Sequence, residues 1–281
     1  MSRPPTFAPP PGTRAHPLPT ARGSFAVLDT SPAGEIRGTA LLAPGYTGSK
    51  EDFIALLEPL AAAGYRTVAV DGRGQYESEG PADQVAYAQA ELARDLVAQA
   101  QALATPVHLV GHSLGGQIAR AAVLIDPRPS PFASLTLMSS GPAQVTVEQQ
   151  QKIKLLGDAL AVMDMAQVWE AMRAMDPPAE GDDDSDMRRR WLLHNPAQLI
   201  ATGSQLTLEP DRTDELAAVS LPKHIVSGER DDTWPVPLLD ATAQRLGARR
   251  TVIQGAEHSP NTDRPAETAA ALAAFWDGLR G

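Results

Sequence analysis

The stretch Val107-His108-Leu109-Val110-Gly111-His112-Ser113-Leu114-Gly115-Gly116 decides how the rest of the chain is read. An apolar run at Val107–Val110 meets a glycine, and Leu114–Leu124 then carries the spacing of a helix. A strand that becomes a helix within so few residues lifts the corner residue, Ser113, clear of the strand end. The helix starting beneath it presents unpaired backbone N–H groups and the positive end of its dipole. Glycines at 111, 115 and 116 let neighbouring backbones pass close to the turn. G-x-S-x-G alone is a weak signal; placed between an apolar strand and a helix it points to a serine nucleophile.

On both sides of this turn, short apolar strands alternate with helical segments. Upstream, Phe25–Asp29 and Ile36–Ala43 read as strands separated by Ser31-Pro32-Ala33-Gly34. A helix is expected from Lys50 to Ala63, with Ser49 and Asp52 as a capping box and Gly64 as its stop. Thr67–Val70 reads as a strand, and Gln84–Ala104 as a helix with Leu92, Leu96, Ala100 and Leu103 along one stripe. Downstream, strands are expected at Leu135–Met138, around Ile225–Val226 and at Thr251–Ile253, then a final helix from Pro265 to about Leu279. This alternation predicts an α/β fold: a mostly parallel sheet of seven or eight strands with helices on both faces.

Between 142 and 220 the alternation breaks. Val147–Leu160, Met165–Met175 and Arg188–Gln198 read as helices, followed by short segments near Ala201–Leu208 and Asp214–Val219. An all-helical insert after the sixth strand is best explained as a cap on a core formed by residues 20–141 and 221–281. Residues 1–19 contain seven prolines and are expected to be a mobile leader, whose end around Thr13–Leu18 could still pair as a first strand.

Composition narrows the partners. With 24 basic against 34 acidic residues the formal charge is −10, which argues against nucleic acid, since phosphate binding needs a basic face. There is no cysteine, so disulfides, a thiolate nucleophile and sulfur-ligated zinc are excluded, and a cytoplasmic location fits. No apolar run approaches the roughly 20 residues that span a bilayer. No basic-then-apolar N-terminal signal is visible. The expected partner is a small-molecule substrate; the oligomeric state is left open.

A serine hydroxyl needs a base to take its proton. Of six histidines, His16 lies in the leader and His108 and His224 lie in or at strands, where packing is expected. His112 adjoins Ser113 and should point away from it; His194 is in the insert. His258 follows the last strand in Gly255-Ala256-Glu257-His258-Ser259-Pro260. From about Arg22 onward the chain resembles the α/β-hydrolase superfamily, on the turn at Ser113, the loop after the third strand, the G-x-x-D run and the His258 loop. The resemblance implies His258 as base. It implies an acid in Gly228-Glu229-Arg230-Asp231, with Asp231 favoured and adjacent Asp232 left open. Some relatives carry the acid after the sixth strand, where this chain has Ser139-Ser140-Gly141-Pro142 and no carboxylate. The order Ser113, Asp231, His258 is the one expected for this fold.

The resemblance also implies an oxyanion hole from the backbone N–H groups of Leu114 and Tyr46. The family usually has His-Gly in the latter loop; here it reads Ala43-Pro44-Gly45-Tyr46-Thr47-Gly48. The Tyr46 side chain either lines the pocket or packs. Asp71-Gly72-Arg73-Gly74 resembles the family's D-x-x-G turn and is read as structural. In the insert, Ile153, Leu156, Leu160 and Met163 form one apolar stripe, and Met165, Val168, Trp169, Met172 and Met175 another. Tyr46, Met163, Trp169 and Met172 are expected to line a pocket for an apolar acyl or alcohol group. The acidic run between Asp176 and Asp186 reads as a solvated loop, and neither metal nor organic cofactor is expected.

The implied activity is a serine hydrolase that cleaves a carboxylic ester through an acyl-enzyme. Thioester, amide and C–C bond hydrolysis and cofactor-free perhydrolysis use the same triad. Haloalkane dehalogenases and epoxide hydrolases carry aspartate at the position of Ser113. A non-catalytic binder would have no need of all three triad residues.

Overall fold

The computed structural model describes residues 2–125, 130–176 and 183–280. Strand β5 (Val107–His112) sits in the middle of an eight-stranded sheet of order β1-β2-β4-β3-β5-β6-β7-β8. Its other members are β1 (Thr13–Thr20), β2 (Gly23–Thr30), β3 (Gly38–Ala43), β4 (Tyr65–Val70), β6 (Phe132–Met138), β7 (Lys223–Gly228) and β8 (Arg249–Ile253). β1–β2 and β2–β4 pair antiparallel, and all other pairs are parallel.

Period-two alternation sends the two faces of each strand into two cores. Leu41, Val68, Val70, Val107 and Leu109 pack on one side with helices α2 (Gln89–Ala102) and α3 (Leu114–Leu124). Ala40, Leu42, Ala69 and Val110 pack on the other with α1 (Ile54–Ala62) and, at the chain's end, α11 (Pro265–Asp277). The insert holds α4 (Val147–Leu160), α5 (Met165–Met175), α6 (Ser185–Leu193), α7 (Pro196–Leu208) and the short α8 (Thr213–Ala217). After β7 come α9 (Val236–Leu246), absent from the sequence reading, and α10 (Pro260–Asp263).

Several boundaries differ from expectation for local reasons. The segment read as one helix over Arg188–Gln198 is two, because Pro196 opens α7 and the Asn195 side chain caps it by accepting from Ala197 N–H. The expected helix over Gln84–Ala104 splits into a 3-10 turn at Gln84–Tyr87 and α2. Ser49 stands at the N-cap before Lys50–Phe53 but makes no side-chain cap bond. The Asp52 carboxylate is engaged instead by Arg190, at 2.7 Å, and by the Ser2 hydroxyl, at 2.6 Å.

The proline-rich leader does not hang free as far as residue 19. Thr13–Thr20 pairs with β2 along its whole length, and Leu18 is buried. The prolines fit because β1 is the edge strand, where an outward position needs no N–H. Ahead of it, the Ser2 carbonyl accepts from Arg190 at 2.6 Å and Phe7 packs edge-on against Tyr76. Within the acidic run between Asp176 and Asp186, residues 177–182 lie outside the described residues; Asp184 pairs with Arg173. Among the described residues no helix is long and apolar enough to cross a membrane.

Four histidines are buried as neutral rings. Burial pushes His108, His112 and His194 down to about 4, and His224 to about 3, from an ordinary 6.5. The unfolded chain takes up protons on these rings as pH falls through its ordinary value, while the folded chain does not until the depressed values are reached. Their contribution to stability is therefore complete above about pH 6.5 and is lost progressively toward about pH 4. Calorimetry across that window is expected to show a falling Tm, with His108→Gln flattening the slope. A Tm that stays level down to about pH 4 would contradict these neutral buried rings.

Candidate active site

The corner at Ser113 has φ 54° and ψ −119°, a left-handed conformation that a non-glycine residue adopts only when its surroundings enforce it. The Ser113 N–H donates to the Met138 carbonyl of β6 at 2.9 Å, and α3 begins at the next residue. The flanking glycines are dictated by contact. A Cβ on Gly111 would lie 2.3 Å from the Gly115 carbonyl oxygen, and one on Gly115 would lie 2.4 Å from that of Ala43. Backbone cannot yield as a side-chain tip can, so Gly115→Ala is expected to cost about 1–3 kcal/mol or more. Chemical denaturation would register it, and an unchanged midpoint would contradict this packing of the turn.

Ser113 is 7% exposed, and its hydroxyl stands 3.1 Å from His258 Nε2. On the far side of the ring, His258 Nδ1 lies 3.0 Å from Asp231 Oδ1. Asp231 Oδ1 also accepts from the backbone N–H groups of Thr233, at 2.9 Å, and Trp234, at 3.0 Å. Burial alone would raise this carboxyl; the bond from His258 and these N–H groups outweigh it and hold it below the ordinary carboxylate range. Asp232 lines a cavity wall nearby but makes no hydrogen bond to the imidazole among the described residues, accepting instead from Gln149 Nε2 at 2.8 Å and from the Thr233 hydroxyl at 3.1 Å. Of the two adjacent acids, the fold brings Asp231 to the imidazole. Asp231, Asp232 and His258 offer ligand atoms within 4.8 Å of one another, but the first and third are already engaged in the chain to Ser113.

Adjacency in sequence predicts that His112 points away from Ser113. Its ring lies beside that of His258, at 5.2 Å between centroids, and its Nε2–H donates to the His258 carbonyl at 2.9 Å. Another serine–histidine contact, Ser134 to His108 at 2.8 Å, is buried, its ring stacked against Trp276 and, among the described residues, oriented by no carboxylate.

The loop after β3 runs alongside Ser113: a Cβ on Gly45 would lie 3.3 Å from Ser113 Cβ. Among the described residues, the backbone N–H groups of Tyr46 and Leu114 donate to no acceptor. For Leu114 this follows from its place as the first residue of α3. The Tyr46 hydroxyl donates to the Leu199 carbonyl of α7 at 2.8 Å, tying this loop to the cap, and burial pushes the phenol up.

Ser113 opens into a cavity of about 330 Å³ between core and cap. Tyr46, Val145, Ile153 and Leu206 give it an apolar wall, and Thr47, Gln149, Asp232, Thr233 and Ser259 a polar one. Met163, Trp169 and Met172 do not line it. They pack with Leu160, Val168, Trp191 and Leu199 inside the cap, because an inserted group of helices must bury an apolar face of its own. A larger cavity of about 810 Å³ lies against the β1–β2 hairpin, where His16 and Ser24 both line the wall. His16 bonds the Pro17 carbonyl and Asp29 there, so no hydroxyl is paired with it.

Comparison with known proteins places the chain in a family. Residues 40–271 match the alpha/beta hydrolase family. A pimeloyl-[acyl-carrier protein] methyl ester esterase from Aeromonas hydrophila is 31% identical over 220 residues, covering 74% of this chain and 83% of that protein. An esterase from Exiguobacterium antarcticum superposes with a TM-score of 0.75 at 20% identity, over 94% of this chain and 100% of that one. A thermophilic esterase from Thermogutta terrifontis gives 0.73 at 20% identity, over 95% and 100%. At such identities the two structures speak for the fold. The family match takes in the turn at Ser113 and both loops that approach it from the far end of the sheet, and the chain therefore belongs to the α/β-hydrolase family and is a hydrolase built on that fold.

Proposed function

We propose that this hydrolase is a serine esterase acting on a small carboxylic ester through an acyl-enzyme. The observation that carries the reading is the unbroken line from Asp231 through His258 to Ser113, at 3.0 and 3.1 Å, opening on a cavity between core and cap. Ser113 Oγ attacks the ester carbonyl carbon while His258 Nε2 takes its proton. Asp231 holds the ring by Nδ1 and offsets the positive charge it acquires. The N–H groups of Tyr46 and Leu114, which have no acceptor among the described residues, receive the oxyanion; each such donor is typically worth about 2.7–4 kcal/mol. As the tetrahedral species collapses, the alkoxide leaves with the proton from His258. Water then attacks the acyl-enzyme by the same proton route, returning acid and free Ser113.

The 31% identical relative is named as a methyl ester esterase, which supports ester over amide. The mixed lining and modest volume favour a short ester with its apolar part against Val145, Ile153 and Leu206, rather than a long uniform chain. A p-nitrophenyl series from acetate to decanoate, run beside the matching anilides, tests this. Highest kcat/KM is expected for short to middle-length esters; a preference for anilides, or for decanoate, would overturn it.

A further inference from the structure

The backbone of the loop facing Ser113, Pro44-Gly45-Tyr46, holds one orientation only where something anchors it to the core. Gln75 supplies the anchor. The residue is 5% exposed, and its side chain accepts from the Gly72 N–H through Oε1 at 3.0 Å and donates through Nε2 to the Gly45 carbonyl at 2.9 Å. The amide cannot be turned over. That would set its NH₂ against an N–H and its oxygen against a carbonyl, exchanging two bonds for two repulsions. Its base is fixed as well: the Gln75 N–H donates to the Gly72 carbonyl at 2.9 Å, and its own carbonyl accepts from Ser78 at 2.8 Å.

The Gly45 carbonyl and the Tyr46 N–H belong to one planar trans peptide, so they point in opposite directions. The carbonyl also accepts from the Gly48 N–H at 3.2 Å, but that bond lies within the loop and moves with it. Gln75 reaches in from the turn after β4 and fastens the peptide to the core. With its carbonyl held there, the peptide presents the Tyr46 N–H on the other side. That N–H has no acceptor among the described residues, Tyr46 lines the cavity at Ser113, and Gly45 flanks the serine.

We infer that Gln75 is a positioning residue for the oxyanion hole, setting the plane of the Gly45–Tyr46 peptide so that its N–H meets the developing charge. The inference rests on Ser113 being the nucleophile. Gln75→Met keeps the length and loses the donor; Gln75→Glu keeps the shape and sets a carboxylate against the Gly45 carbonyl. Both are expected to lower kcat on p-nitrophenyl butyrate roughly 10–100-fold with KM within about twofold. Affinity for a trifluoromethyl ketone, whose serine adduct carries the same oxyanion, should fall by the same factor. A merely structural glutamine would shift Tm and active-site content but leave turnover per titrated site and ketone affinity alone, and that result would overturn the inference. If Gln75→Met fails to fold, Gln75→Asn, too short to reach Gly45, is read in its place. Ser113→Ala runs in parallel. An inactive Ser113→Ala beside fully active Gln75 variants overturns only the role of Gln75; an active Ser113→Ala removes the nucleophile and this inference with it.

Discussion

Replacing Ser113 with alanine is expected to lower kcat on an ester roughly 10⁴–10⁶-fold while changing Tm by only a few degrees. Alanine keeps the Cβ, so the backbone at φ 54° is no more strained than before. What disappears is one oxygen, 3.1 Å from His258 Nε2. The imidazole and the two N–H groups remain, so residual hydrolysis reflects binding and oxyanion stabilisation with water as the nucleophile. Burst-phase kinetics on a p-nitrophenyl ester separate the cases. The wild type should release nitrophenol in a burst equal to its active sites, and the variant none. A variant that keeps a substantial share of turnover would mean that another group carries the reaction.

The second large effect is expected at Asp231. Asp231→Asn should lower kcat on the order of 10⁴-fold, whereas Asp232→Asn should stay within a few-fold of wild type. The neighbours differ in what they face. Asp231 Oδ1 accepts from His258 and from two backbone N–H groups, so its charge sits where the imidazolium forms. An asparagine there fits the space but leaves the protonated ring without a counter-charge or favours the wrong tautomer. Asp232 accepts from Gln149 and Thr233 at the rim, and an asparagine oxygen can keep accepting there. Steady-state kinetics on the two variants decide it, and a larger loss at 232 than at 231 would reverse the assignment.

The elements legible in the sequence were those whose signal is local. β5, the glycine corner and α3 could be read because the strand, the contacts that exclude a Cβ and the helix fall within one short run. The helices Val147–Leu160 and Met165–Met175 were legible for the same reason, and the second is opened by a capping box from Asp164 and Gln167. What failed was decided by distant partners. Ser49 and Asp52 look like a capping box, but Arg190 in the cap engages the Asp52 carboxylate. Helical spacing showed that Met163, Trp169 and Met172 share an apolar face; it could not say whether that face meets substrate or other helices. For the acid, the G-x-x-D spacing favours Asp231, but that its carboxylate and not that of Asp232 bonds His258 Nδ1 is decided by the turn's backbone, because one residue rotates the side chain from the imidazole to the rim. The leader's prolines signalled extended chain, and only the edge of the sheet turned Thr13–Thr20 into a strand. Gln75 carries no titratable group and follows a turn read as structural, so nothing local marked its reach to Gly45.

The most direct test of the central claim, that Ser113 is a nucleophile activated by His258, is reaction of the folded protein with a fluorophosphonate, followed by intact mass and peptide mapping. One adduct per chain is expected, on the Ser113 Oγ, forming at least about a hundredfold more slowly in His258→Ala. No adduct on folded protein, an adduct on another residue such as Ser134, or labelling of Ser113 at an unchanged rate in His258→Ala would contradict the account.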